Sequence, residues 1–177
     1  MTPNKPGKKT PGANAVLTAI LCAAAGLAAG CAIKLLDLYT TNLGNIFSQL
    51  SVWFFLCTLL TVFSGTPARA AVRVFVFCIG MLAAYYAAAE WTHSVYSMQF
   101  VYGWTAFAFF TPLMSLCLWA AGRKRRTAVL CAVGLPLCML ACAAVLFDQI
   151  RVSDVVFAVL TSAVFLKRAT GIRMEKG

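Results

Sequence analysis

Residues 101–147 read VYGWTAFAFFTPLMSLCLWAA-GRKRR-TAVLCAVGLPLCMLACAAVLF. Two apolar runs, each of about 20 residues, flank a basic pentapeptide. An α-helix rises about 1.5 Å per residue, so such a run covers the roughly 30 Å hydrocarbon core of a bilayer. The link carries Arg123, Lys124, Arg125 and Arg126 and is too polar to enter that core. The stretch therefore predicts two antiparallel spanning helices joined on the cytoplasmic side, where Lys and Arg accumulate.

The same pattern extends in both directions. Apolar runs at 15–36, 46–63, 70–89, 101–121, 127–147 and 152–166 alternate with polar or basic links, which predicts six transmembrane helices. The sixth run is the shortest and carries Asp154 near its start. Residues 1–14 (MTPNKPGKKTPGAN) read as a disordered basic tail, and residues 167–177 as a second basic tail. Placing the N-terminus inside puts 13 of the 15 Lys and Arg residues in cytoplasmic segments: Lys5, Lys8, Lys9, Arg69, Arg73, Arg123, Lys124, Arg125, Arg126, Lys167, Arg168, Arg173 and Lys176. Only Lys34 and Arg151 remain outside. The fold class expected is all-α, a polytopic membrane helical bundle with both termini cytoplasmic.

Composition agrees. The 177-residue chain is 62% hydrophobic and 11% charged, with a mean hydropathy of +0.84. A soluble domain needs about 25% charged residues to cover its surface. The net charge of +10 is distributed as short runs between spans, without interleaved aromatics to stack bases, so nucleic acid is not an expected partner. The lipid bilayer is.

The eight cysteines all lie inside apolar runs and none in a link, which excludes a secreted disulfide framework. Cys131, Cys138 and Cys142 share a helix face and read as packing residues. With one histidine and no Cys-x-x-Cys, no metal site or cofactor is expected. Leu27-Ala-Ala-Gly-Cys31 after a basic start has the look of a lipoprotein signal, but position −3 is Ala28 and five spans would follow, so cleavage before Cys31 is the minor reading. No catalytic motif is present, and the chain is not expected to be an enzyme.

Three features could carry function. Ala19, Ala23, Gly26 and Gly30 make a small-residue face on the first span, suited to close helix docking within the bundle or onto another membrane subunit. Pro112 and Pro136 stand midway along the fourth and fifth spans. Each leaves a carbonyl one turn earlier without its usual donor, so both are candidate hinges. Third, Glu90, Trp91, His93, Tyr96 and Gln99 cluster just beyond Tyr85 and Tyr86. A carboxylate among aromatic rings suits a small cationic or amphipathic ligand. Asn42, Asn45 and Gln49 would add hydrogen bonds across the bundle.

Gly26-Leu-Ala-Ala-Gly30, the run from Asn45 to Trp53 and the Tyr85-Tyr86 pair resemble a family of small, uncharacterised bacterial six-helix membrane proteins over residues 15–147. The family implies a multi-pass protein of the bacterial cytoplasmic (inner) membrane and no particular chemistry. In architecture the chain is also similar to the substrate-binding subunits of energy-coupling-factor vitamin transporters. That resemblance implies an outward pocket and docking through the first helix, here Ala19, Ala23, Gly26 and Gly30. The leading expectation is thus a ligand-binding or transport subunit whose outward pocket is lined by Asn45, Gln49, Tyr85, Tyr86, Glu90, Trp91 and His93. The second is a non-catalytic accessory or assembly protein that docks other membrane proteins, or copies of itself, through the first span. The third is a membrane enzyme using Glu90 and His93.

Overall fold

A computed structural model describes residues 11–40, 49–94, 96–147 and 150–174. They form six helices: α1 Pro11–Tyr39, α2 Leu50–Val62, α3 Pro67–Trp91, α4 Met98–Ala121, α5 Arg125–Phe147 and α6 Val152–Met174. Among the described residues there is no strand.

Helix ends depart from the apolar runs in a consistent way. Residues 11–14, expected in the disordered tail, are the first turn of α1, and Lys167 to Met174, expected as tail, continue α6. Helices end where the backbone is capped or broken, not where hydropathy falls, and nothing between Leu166 and Met174 breaks the helix. Basic residues in that last stretch also suit the negative end of the helix dipole. Residues 46–48, expected to open the second span, lie outside the described residues.

Among the described residues, four helices are long and apolar enough to cross a membrane: Asn14–Tyr39, Pro67–Trp91, Val101–Ala121 and Arg125–Val145. α2 has only 13 residues. Its role is different, because Leu50, Ser51, Val52, Trp53, Phe54, Thr58 and Thr61 are all buried. It packs against α3, α4, α5 and α6 and is the central helix of the bundle. Trp53 meets Phe77 of α3 at 6.3 Å between ring centroids, and Phe55 meets Phe157 of α6 at 5.6 Å.

α1 packs along α3. A Cβ on Gly26 would stand 2.2 Å from the Phe77 carbonyl oxygen, and one on Gly30 equally close to that of Met81. From the other side, a Cβ on Gly80 would lie 2.9 Å from the Ala23 carbonyl oxygen. Only glycine permits two backbones to touch in this way. The small-residue face of α1 is therefore occupied by α3 of the same chain and is not free for a second subunit. What α1 leaves outward is Val16, Leu17, Ile20 and Leu21, each more than half exposed. Phe109, Phe110, Leu113, Leu130 and Leu137 are equally exposed on α4 and α5. Water-soluble monomers seldom leave so much apolar surface uncovered, whereas lipid covers it.

Contacts fix the helix directions. Gly26 to Phe77 and Gly30 to Met81 run parallel, Ser51 to Asp154 and Val62 to Arg168 run parallel, and Arg73 to Ser64 makes α2 and α3 antiparallel. The start of α1, both basic links and the end of α6 consequently share one end of the bundle. Lys34, Asp37, Gln49, Glu90 and Asp154 share the other.

Both prolines are accommodated by hydroxyls. The Ala108 carbonyl, which Pro112 leaves without an amide donor, accepts from Thr111 Oγ1 at 2.7 Å. The Ala132 carbonyl, left open by Pro136, accepts from Ser162 Oγ of α6 at 2.7 Å.

Candidate functional site

At the acidic end, α1 and α3 bring up a connected set of charged and aromatic groups. Lys34 is 6% exposed, an expensive position for an ammonium. Its Nζ lies 3.4 Å from Asp37 Oδ2, one turn on, and 5.4 Å from the centre of the Tyr85 ring. Tyr85 OH donates to the same Asp37 oxygen at 3.4 Å. Tyr85 packs edge-on against Tyr86 at 5.4 Å, and Tyr86 meets Tyr96 at 5.5 Å. Tyr96 OH donates to Glu90 Oε2 at 2.8 Å. That bond, lost when the phenol ionises, holds Tyr96 above its ordinary range.

Tyr85, Tyr86, Tyr96 and Glu90 are thus joined in one chain of contacts. Lys34 and Asp37 were not among the expected site residues. The place a cation would take at Tyr85 is filled by the chain's own Lys34. Glu90 is exposed, and among the described residues it has no cationic partner. Trp91 is 87% exposed. His93 is exposed and sits at φ 49°, a left-handed conformation. Its amide bonds the Glu90 carbonyl at 3.1 Å, and Ser94 N bonds the Ala89 carbonyl at 3.0 Å. His93 thereby closes the last turn of α3, a backbone role more often given to glycine.

Gln49 belongs elsewhere, and this corrects the expected single pocket. It precedes α2 and is 5% exposed, packed against the start of α6. There Asp154, 3% exposed, accepts from Ser51 Oγ at 2.5 Å and from the Arg151 amide at 3.0 Å. Ser153 Oγ lies 2.7 Å from the Gln49 amide. A carboxylate can only accept, so the Gln49 nitrogen turns to Asp154 Oδ1 at 3.1 Å, and its oxygen accepts from Arg151 Nη1 at 2.9 Å. Asp154 sits at the third position of α6 and reaches back to the amide that precedes the helix, half of a capping box. It also faces the N-terminus of α2. Two positive helix ends therefore hold one buried carboxylate. Arg151-x-x-Asp154 was the signal for this in the sequence. Asn45 lies outside the described residues.

Between α2, α3 and α4 lies a partly open cleft with room for about one water. Phe54, Cys57, Thr58, Thr61, Val74, Phe107, Thr111, Met114, Ser115 and Leu118 line it. Thr61 Oγ1 and Ser115 Oγ pair at 2.9 Å, and the buried Thr58 Oγ1 has no hydrogen-bond partner among the described residues. Cys57 and Cys78 sulfurs lie 3.5 Å apart nearby.

No protein-family model, curated protein or solved structure matches the chain.

Proposed function

We propose that the chain is a six-span integral protein of the bacterial cytoplasmic membrane with both ends in the cytoplasm. In this reading α2 and α6 cross with the four longer apolar helices, and the arginine-rich end is inside. The alternation of helix directions and the collection of basic links at one end support it. Reporter fusions after residues 66, 94 and 124 test it: activity expected of a cytoplasmic reporter at 66 and 124 and of an external one at 94. The opposite pattern would discard the orientation.

Within that frame the chain acts as a ligand-binding or transport subunit for a small cationic or amphipathic molecule. One observation carries the reading: an exposed carboxylate, Glu90, free of any cationic partner among the described residues and held by Tyr96 beside the Tyr86 ring. Charge pairing and cation–π contact act there on the same guest. Quaternary-ammonium compounds of increasing chain length are suitable probes, with binding read by thermal stability of the purified protein in detergent. Glu90→Gln and Tyr86→Ala should each abolish the stabilisation. Unchanged stabilisation in both would remove the site.

A second reading, an accessory protein that docks a membrane partner, is favoured by the outer face of α1. It would use Leu17, Ile20 and Leu21 rather than Gly26 and Gly30, which α3 already covers. Leu17→Asn with Leu21→Asn should then release a cross-linked partner while leaving the bundle folded.

A further inference from the structure

The end of the bundle opposite Glu90 holds an arrangement that orientation alone does not require. α2 stops at Val62, and side chains from three other helices reach Val62 and Ser64 at and just beyond its end. Arg168 Nη1 of α6 donates to the Val62 carbonyl at 2.8 Å. Trp119 Nε1 of α4 donates to the Ser64 carbonyl at 2.9 Å, and Arg73 Nη1 of α3 reaches Ser64 Oγ at 3.4 Å. Arg123 lies over the Trp119 ring, 4.5 Å from its centre. The Arg168 guanidinium rests on Gly122, where a Cβ would come within 3.2 Å of Nε.

Three guanidinium groups thus gather where α2, α4 and α6 end. The described acids, Asp37, Glu90 and Asp154, are all at the other end of the bundle. Arg168 is half-buried, and its guanidinium lies against Gly122, the neighbour in sequence of Arg123. A crowded cationic pair with no carboxylate beside it among the described residues gains from an anion that joins it. Arg123 makes no side-chain hydrogen bond among the described residues, so its donors are free, and Arg168 uses one of five. Planar guanidinium pairs of this kind match the oxygens of a phosphate. Phe63, next in sequence to Val62, is 77% exposed, and Leu166, two residues before Arg168 on α6, is 47% exposed. Free phosphate has no use for such a flank, whereas an acyl chain does.

We propose that Arg123 and Arg168, with Arg73 behind them, bind the phosphate of an anionic phospholipid whose acyl chains lie against Phe63 and Leu166. Basic pockets between helix ends at a membrane surface recognise such headgroups. The inference rests on the membrane-spanning reading above, and on no ligand at the Glu90 rim.

The test uses the full chain purified in a nonionic detergent. Native mass spectrometry and thermal unfolding are followed with dioleoylphosphatidylglycerol, with dioleoylphosphatidylcholine and with inorganic phosphate. Retained phosphatidylglycerol adducts and a higher melting temperature are expected, with neither of the others giving them. Arg123→Gln, at an exposed position, should weaken phosphatidylglycerol retention about fivefold, the effect of one surface charge on an anionic lipid. Arg168→Gln should weaken it as well, and Arg123→Gln decides the matter if that variant does not fold. Equal retention of the two lipids, or unchanged retention by Arg123→Gln, overturns the site. Stabilisation by inorganic phosphate alone overturns the lipid as its ligand. A chain that alkaline carbonate strips from membranes would refute the spanning reading; one that stays in the membrane but does not distinguish the lipids refutes only the site.

Discussion

Ser162 Oγ donates at 2.7 Å to the Ala132 carbonyl, the acceptor that Pro136 leaves without its helical donor. The proline that interrupts α5 thereby becomes the point at which α6 is fastened to it. Ala132 is 2% exposed, so water does not replace the missing bond. Ser162→Ala should destabilise the bundle by about 0.5–2 kcal/mol in denaturant unfolding from detergent micelles. Pro136→Ala restores the amide donor, so the double variant should lose less than the sum of the two single ones. Strict additivity would show that the two residues act independently.

Asp154 joins α2 to α6 at the other end, and its replacements should separate charge from hydrogen bonding. Asp154→Ala leaves the Ser51 hydroxyl, the Arg151 amide and Gln49 without their acceptor in a buried place. A loss of about 2–3 kcal/mol is expected. Asp154→Asn keeps one oxygen for the Arg151 amide and should lose clearly less. Equal losses in the unfolding midpoint would mean that the charge between the two helix N-termini is what matters.

Gly26→Ala drives a methyl into the Phe77 carbonyl, backbone that cannot give way without moving α3. Overpacking of this kind costs about 1–3 kcal/mol. Gly103→Ala is the contrast, since nothing lies within 4 Å of its Cβ position in α4. There alanine should be neutral or stabilise by up to about 1 kcal/mol through helix propensity. Melting temperatures of the two variants in the same detergent should move in opposite directions or diverge by several degrees.

What was legible in the sequence were properties that one helix carries by itself. The basic run from Arg123 to Arg126 marks a link whatever surrounds it, and the Gly26 and Gly30 spacing announces a close backbone approach. It does not say which helix approaches, and the answer was α3 of the same chain. Thr111 stands next to Pro112 and could have been matched to it by eye. Ser162 lies in another helix from Pro136, and only the packing brings them together. Asp154 counted against the sixth run because hydropathy weighs a charge without its partners. Tyr85, Tyr86 and Glu90 follow one helix and were found together. Lys34 and Asp37 reach them from α1, and Gln49 finds its partners, Ser153 and Asp154, across the bundle, which spacing along one helix does not reveal.

The Glu90–Tyr96 bond has a pH signature. The folded state holds the Tyr96 phenol above its ordinary value of about 10. A raised pKa gives stabilisation that is complete below the unfolded value and is lost as pH rises through the folded one. The bond therefore holds through neutral pH and weakens only in the alkaline range. In a phenolate difference titration, with Tyr96→Phe subtracted, Glu90→Gln should bring the Tyr96 transition down towards the ordinary value. No change would mean that the carboxylate is not its partner.

Thr58 makes the last case. Its side chain is 0% exposed, and its hydroxyl has no partner among the described residues, beside a cleft that admits about one water. Threonines in helices usually return their hydroxyl to a carbonyl one turn earlier, as Thr61 does to Cys57 at 2.8 Å. Thr58 instead leaves a donor buried unpaired, so removing the hydroxyl while keeping the shape should help. Thr58→Val is expected to stabilise the bundle by about 1 kcal/mol. The neighbouring Thr61→Val should do the reverse, since it strands Ser115 Oγ. If Thr58→Val were instead destabilising by a similar amount, the hydroxyl must be bonded to a guest in the cleft. Water would be the first to look for, because the space admits little else.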